Sequence, residues 1–155
     1  MQIPEPQAEH LWLQQLVGEW NIESECIMGP DQPPMTFTGH EVVRPLGKLW
    51  IIAEGTGACE SMMTLGYDPQ AKRFVGSFIA SAMTHFWPYI GSLDASGKVL
   101  TLDSEGPTFA GDGTLTKYQD IFELVTQDHR TLTARVQNAD GSWQQFMTAH
   151  YRRQQ

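Results

Sequence analysis

Two carboxylates stand where strand alternation turns a side chain inward. Along Met35-Thr36-Phe37-Thr38-Gly39-His40-Glu41-Val42-Val43 the apolar face carries Phe37, Glu41 and Val43, while Thr36, Thr38, His40 and Arg44 take the other face. In Tyr118-Gln119-Asp120-Ile121-Phe122 the face shared by Tyr118 and Phe122 includes Asp120. A carboxylate on a buried face needs hydrogen bonds or a counter-charge, or its pKa climbs until it is neutral. A raised, unpaired carboxyl suits acid–base work on a bound substrate; one clamped by an arginine, with Arg44 and Arg135 as the candidates, stays a fixed charge. The clamped arrangement is the expectation for Glu41.

The densest aromatic stretch is Met83-Thr84-His85-Phe86-Trp87-Pro88-Tyr89, where a histidine and a proline break the alternation between two strands. Aromatic walls with one or two convergent polar groups are the material of small-molecule sites. The candidate ligand-binding residues are therefore Trp20, Phe37, Glu41, Phe78, His85, Trp87, Tyr89, Tyr118 and Asp120. The competing reading has the same rings plugging one end of the fold. The histidines at 10, 40, 85, 129 and 150 lack metal-site spacing, so neither metal nor cofactor is expected. No glycine-rich phosphate loop, dinucleotide fingerprint, Gly-x-Ser-x-Gly elbow or His-Glu-x-x-His pair is present, and no catalytic residue is assigned.

The elements that position these residues follow from periodicity. Ala8, Leu11, Trp12 and Leu16 repeat at helical spacing after Pro4 and Pro6, with Gly18 placed to end the turn, which predicts a short helix over 7–17. From Glu19 the period becomes two: Trp20, Ile22, Ser24 and Cys26 alternate with Asn21, Glu23 and Glu25. Turn chemistry at Gly29-Pro30-Asp31, Leu46-Gly47, Asp68-Pro69, Asp94 to Gly97, Gln127-Asp128 and Asn138 to Gly141 cuts the remainder into strands. They fall near 19–28, 35–45, 48–56, 61–67, 72–81, 86–94, 98–105, 115–126, 130–138 and 142–152, with Glu105 to Thr114 as a loop. About ten twisted strands in meander order leave two reactive edges unless the sheet closes, which predicts one antiparallel up-and-down barrel over 19–152 in a single domain, 1–155.

At 155 residues the chain suffices for one core, burying about 70% of its unfolded surface. Ten basic against 18 acidic residues give a formal charge of −8, which repels phosphate backbones and anionic headgroups and argues against nucleic acid and membrane partners. The opening stretch to Gly18 has no Lys or Arg, so neither anchor nor signal peptide is expected. Two cysteines outside a Cys-x-x-Cys pair, Cys26 and Cys59, suit a reducing, cytoplasmic compartment, with Cys26 as core filler. Leu49, Ile51 and Ala53 on one face and Trp50 and Ile52 on the other make that strand apolar on both sides, and with Met62 and Met63 suggest a homo-oligomer contact. Arg152 and Arg153 read as surface charges.

Leu16-Val17-Gly18-Glu19-Trp20 resembles the Gly-x-Trp opening of lipocalin-like barrels. With Gly39-His40-Glu41-Val42-Val43-Arg44-Pro45-Leu46-Gly47, Thr64-Leu65-Gly66-Tyr67-Asp68-Pro69, Phe74-Val75-Gly76-Ser77-Phe78-Ile79 and Phe146-Met147-Thr148-Ala149-His150-Tyr151-Arg152-Arg153, the chain resembles the DUF1579 family of small bacterial proteins of unknown function. The resemblance implies a calycin-like barrel with Trp20 packed across its floor. The function expected is binding of a small, largely apolar molecule in the barrel without chemistry. The alternatives are an isomerase- or cyclase-type enzyme using a cavity carboxylate, tyrosine or histidine, a self-associating structural module, and a haem-holding barrel similar to nitrobindin. The last needs an inward histidine, and none of the five is matched to that ligand.

Overall fold

The computed structural model describes residues 1–27, 29 and 31–155; Met28, the expected end of the first strand, and Pro30 of the expected first turn lie outside the described residues. Helix α1 spans Ala8–Gln14. At its start the Gln7 backbone N–H donates to His10 Nδ1 at 2.9 Å. The ring proton therefore sits on Nε2, which donates to the Tyr67 carbonyl at 3.1 Å and ties the helix to the sheet. The helix was expected to reach residue 17; instead the N–H groups of Gln15, Leu16 and Val17 bond three residues back, tightening its end into a 3₁₀-like turn.

Ten strands follow: β1 Gly18–Cys26, β2 Met35–Leu46, β3 Trp50–Thr56, β4 Ser61–Asp68, β5 Arg73–Ala80, β6 Trp87–Leu93, β7 Val99–Pro107, β8 Leu115–Thr126, β9 His129–Gln137 and β10 Trp143–Arg153. Each pairs antiparallel with its sequence neighbours, and β1 with β10 closes the barrel. β7 runs to Pro107, three residues into the stretch expected as a loop, because Glu105, Gly106 and Pro107 keep partners on β8.

The two ends of the barrel differ. At the end where β1 begins, the floor, Leu13 and Leu16 of the helix region pack with Trp20, Val43, Ile51, Leu65, Phe74, Leu100 and Phe122, all buried. Burying a side chain of this size stabilises by about 1.5–3 kcal/mol, so the floor is the principal hydrophobic core. At the mouth, inward-facing Ser24, Cys26, Phe37, Phe78, Trp87 and Met147 are only half-buried. Exposed apolar side chains ring that end, among them Met35, Met83, Phe86, Phe109 and Leu115. The barrel is filled at the floor, and burial of the inward side chains falls toward the mouth.

Candidate functional site

Trp20 and Glu41 are direct partners on the β1–β2 ladder, which sets an indole beside a carboxylate in the floor. Glu41 is 7% exposed, and the Arg130 side chain that meets it is 1% exposed; Arg130 Nη2 donates to Glu41 Oε1 at 2.6 Å. The Arg130 guanidinium carbon lies 4.0 Å from the Tyr151 ring centroid and 4.7 Å from that of Trp20. Aromatic faces thus carry the charge that Nε and Nη1, which have no hydrogen-bond acceptor among the described residues, leave unpaired. Glu41 is clamped, as expected, but by neither expected arginine. Arg44 lies beside Glu54 at 3.6 Å with both side chains about half exposed, and Arg135 donates to Gln119 on the outer face. The reason is parity. Arg130, Leu132, Ala134 and Val136 alternate on the inward face of β9, so Arg135 must point out; that period-two run was the signal available in the sequence.

Arg153 is also not a surface charge. Its guanidinium lies 4.2 Å from the Trp20 ring and donates to the carbonyls of Gln15 and Val17 at 3.0 and 2.7 Å, capping the end of the helical turn. Gly18 has φ 139°, which favours glycine, and a Cβ there would stand 2.4 Å from Arg153 Nη1 and push the guanidinium aside. Trp20 completes the stack by donating its indole N–H to the Leu16 carbonyl at 2.9 Å. Arg152 is the exposed member of the pair.

Asp120 lies nearer the mouth. It pairs with Ala134 on the β8–β9 ladder, whereas Arg130 pairs with Leu124. The Tyr89 hydroxyl donates to Asp120 Oδ2. Asp120 faces the barrel interior between buried Tyr118 and Phe122 and is itself half-buried. Desolvation pushes its pKa from 3.8 up to about 6, against a smaller lowering by the Tyr89 hydrogen bond. Burial is also the main cause that pushes Tyr89 upward, followed by the Asp120 charge and their hydrogen bond. Tyr151 is raised chiefly by burial, then by Glu41, with Arg130 opposing.

The pH dependence of stability has a definite sign. Between pH 3.8 and about 6 the folded protein holds a proton that the unfolded chain has released, so stability falls as pH rises through that window, by about 3 kcal/mol in total. Asp120→Asn keeps the shape and removes the charge. We expect it to stabilise the fold by up to about 3 kcal/mol near pH 8 and by almost nothing near pH 4, in urea unfolding at both values. Equal stability of variant and wild type at both would contradict the assignment.

Closer to the mouth, His85, Trp87 and Tyr118 form a chain of edge-on rings at 4.6 and 4.9 Å. Phe109 and Phe146 extend it, packing 5.1 Å from each other and 6.1 Å from Tyr118. Tyr118 donates its hydroxyl to the Pro107 carbonyl, and a Cβ on Gly106 would meet the Trp87 ring at 2.2 Å, so that glycine seats the indole. The Trp87 Nε1–H is buried without a partner among the described residues. Phe37 and Phe78 face inward from β2 and β5 and have no ring contact with this chain among the described residues. His85 stays at the rim, its Nε2 on the Glu105 carbonyl.

The candidates thus divide into three groups: Trp20 and Glu41 in the floor, Tyr89 with Asp120 midway, and His85, Trp87 and Tyr118 at the mouth. Arg130, Tyr151, Phe109 and Phe146 went unrecognised in the sequence. Four of the five histidines lie away from the lumen: His10 is in the helix, His40 bonds Gln154, and His129 and His150 stack on each other, which leaves His85 at the rim. No group of metal ligands occurs among the described residues. Two concavities of about 470 and about 700 Å³ lie outside the lumen, one along β3 to β5 and one between the helix and the turn after β8. Neither contains Asp120, Tyr89 or Trp87. On the outer wall Trp50 and Met62 are exposed, while Met63 turns inward and is buried, so only one of the two methionines can serve an outer contact.

A closed ten-stranded antiparallel meander with a short N-terminal helix across its floor defines a lipocalin-like barrel. The model of DUF1579, described as a protein of unknown function, matches residues 5–153, and the chain belongs to that family. Comparison with curated proteins yields no match. Among solved structures it is similar to Rv2717c from M. tuberculosis, with 13% identity, a TM-score of 0.69, and coverage of 97% of this chain and 100% of that one. It is similar as well to the S-type phycobiliprotein lyase CPES from Guillardia theta, with 10% identity, a TM-score of 0.60, and coverage of 97% and 99%. At such identities the likeness speaks for the fold alone.

Proposed function

We propose that the protein binds one small, largely apolar molecule in the mouth half of its barrel and does no chemistry on it. The observation that carries this reading is the contrast between a filled floor and the inward-facing Phe37, Phe78 and Trp87, which keep accessible surface nearer the mouth. Tyr118, Tyr89 and Asp120 supply the few polar groups that would orient such a ligand, with Trp20 and Glu41 supporting them from below and His85 at the rim. The free thiols of Cys26 and Cys59 support a reducing, cytoplasmic setting. No helix among the described residues is long and apolar enough to cross a membrane.

Native mass spectrometry of protein purified from its own host tests the reading. We expect a co-purifying mass that is lost on denaturation, and binding of the apolar dye Nile red by the emptied protein. A bare chain that also ignores the dye would remove the proposal. The same spectra count the copies, and we assign any homo-oligomer to the outer face of Trp50 and Met62.

A second reading, acid–base chemistry of the isomerase or cyclase type, is favoured by one observation: Asp120, titrating at about 6, lies in the lumen in contact with the Tyr89 hydroxyl. Loss of the pH-dependent gain expected for Asp120→Asn would withdraw that support.

A further inference from the structure

The charges inside the barrel do not cancel. Arg130 and Glu41 neutralise each other at 2.6 Å in the floor, and the arginine's faces are taken by Trp20 and Tyr151. Asp120, farther along β8 toward the mouth, has a phenol for a partner and no cation. In its ionised form it leaves the lumen one negative charge in excess. A buried charge is ordinarily paired, and among the described residues no cation pairs this one. Between the mouth and that carboxylate lie the rings of Tyr118, two residues away on the same face of β8, and Trp87, two residues from Tyr89 on β6. Such faces attract cations as well as apolar groups. The whole chain, at −8, draws cations and repels anions.

We propose that the lumen takes organic amines, with the protonated nitrogen seated on the Asp120 carboxylate beside Tyr89 and the apolar body held against Trp87 and Tyr118. This rests on the ligand-binding reading and names its ligand class. An ammonium group supplies the missing counter-charge. A carboxylate ligand would instead set two like charges side by side, and an alcohol would donate one hydrogen bond and leave the charge uncompensated.

The titratable groups beside Asp120 are Tyr89 from β6, which donates to it, and Tyr151 from β10, which stands between it and the Glu41–Arg130 pair of β2 and β9; Tyr118 shares its face of β8. The three tyrosines are all raised and stay neutral across the acidic range, so the titration to follow belongs to the carboxyl.

The test is calorimetric binding of three probes with one aromatic body: phenethylamine, phenethyl alcohol and hydrocinnamate, with Nile red as an independent reporter of the lumen. We expect the amine to bind at least about tenfold more tightly than the alcohol at neutral pH, and the carboxylate least. Lowering the pH from about 7.5 to about 5 should weaken the amine about tenfold as Asp120 takes up its proton, and leave the alcohol unchanged. Asp120→Asn, with its fold verified by circular dichroism, should abolish the preference for the amine and retain the alcohol. If Nile red binds while the amine has no advantage, or keeps its advantage in Asp120→Asn, the inference is overturned and the ligand-binding reading stands. If neither Nile red nor any of the three probes binds, both fall together.

Discussion

Arg130→Ala will cost about 3–5 kcal/mol, enough to consume much of the stability of an ordinary domain. The arginine is 1% exposed, so its removal leaves the Glu41 carboxylate buried without its cation. It also empties the space between Trp20 and Tyr151, whose rings lie 4.7 and 4.0 Å from the guanidinium carbon. The desolvation of an unpaired charge and the cavity act in the same direction. Replacing both partners, as Arg130→Met with Glu41→Leu, should recover most of the loss, because apolar groups of similar volume need no counter-charge. Urea unfolding of the two single variants and the double variant gives the coupling directly. A single-variant cost under about 1 kcal/mol would show that the pair is not buried as described.

Trp20→Ala should be of similar size, about 3–5 kcal/mol from lost burial and the cavity left behind. The indole, 1% exposed, also separates two guanidinium groups, Arg130 at 4.7 Å and Arg153 at 4.2 Å, and donates to the Leu16 carbonyl. Removing it takes a face from each cation and a donor from the helix end. Trp20→Phe keeps a smaller face without the donor and should fall between variant and wild type. For a chain of this length each kcal/mol moves the melting temperature by about 2–4 °C, so thermal unfolding should fall by roughly 6–20 °C in Trp20→Ala. An unchanged melting curve would refute the placement of Trp20 in the floor.

Alternation made most of the barrel readable. The inward faces of β2 and β8 follow from period two alone, which is why Phe37, Glu41, Tyr118 and Asp120 were identifiable before any coordinates. Parity tells which way a side chain points but not how far along the barrel it lies. Glu41 and Arg130 are 89 residues apart, and their meeting depends on the stagger of all the strands between them. Arg44 and Arg135, each an odd number of positions from an inward residue, point outward whatever the stagger, so parity alone removes them. In β10 alternation gives no single inward face: the register shifts between Gln145 and Met147, so simple alternation cannot run through Phe146. Arg153 was misread because a capping role depends on carbonyls more than 130 residues away, at Gln15 and Val17.

The joining of β1 to β10 has a consequence for how the chain reaches this structure. Every other strand pair links neighbours in sequence and can form as a hairpin soon after its residues are available. The seam cannot: Trp20 pairs with Arg153, and the Arg153 bond to Val17 spans 136 residues, so closure must wait until Arg153 has left the ribosome. Until then β1 and β10 present unpaired backbone edges, the kind that recruit other chains. Arg153 is therefore a latch on a slow, late step, and the period before it engages is when the nascent protein is most exposed to aggregation and to the attention of chaperones.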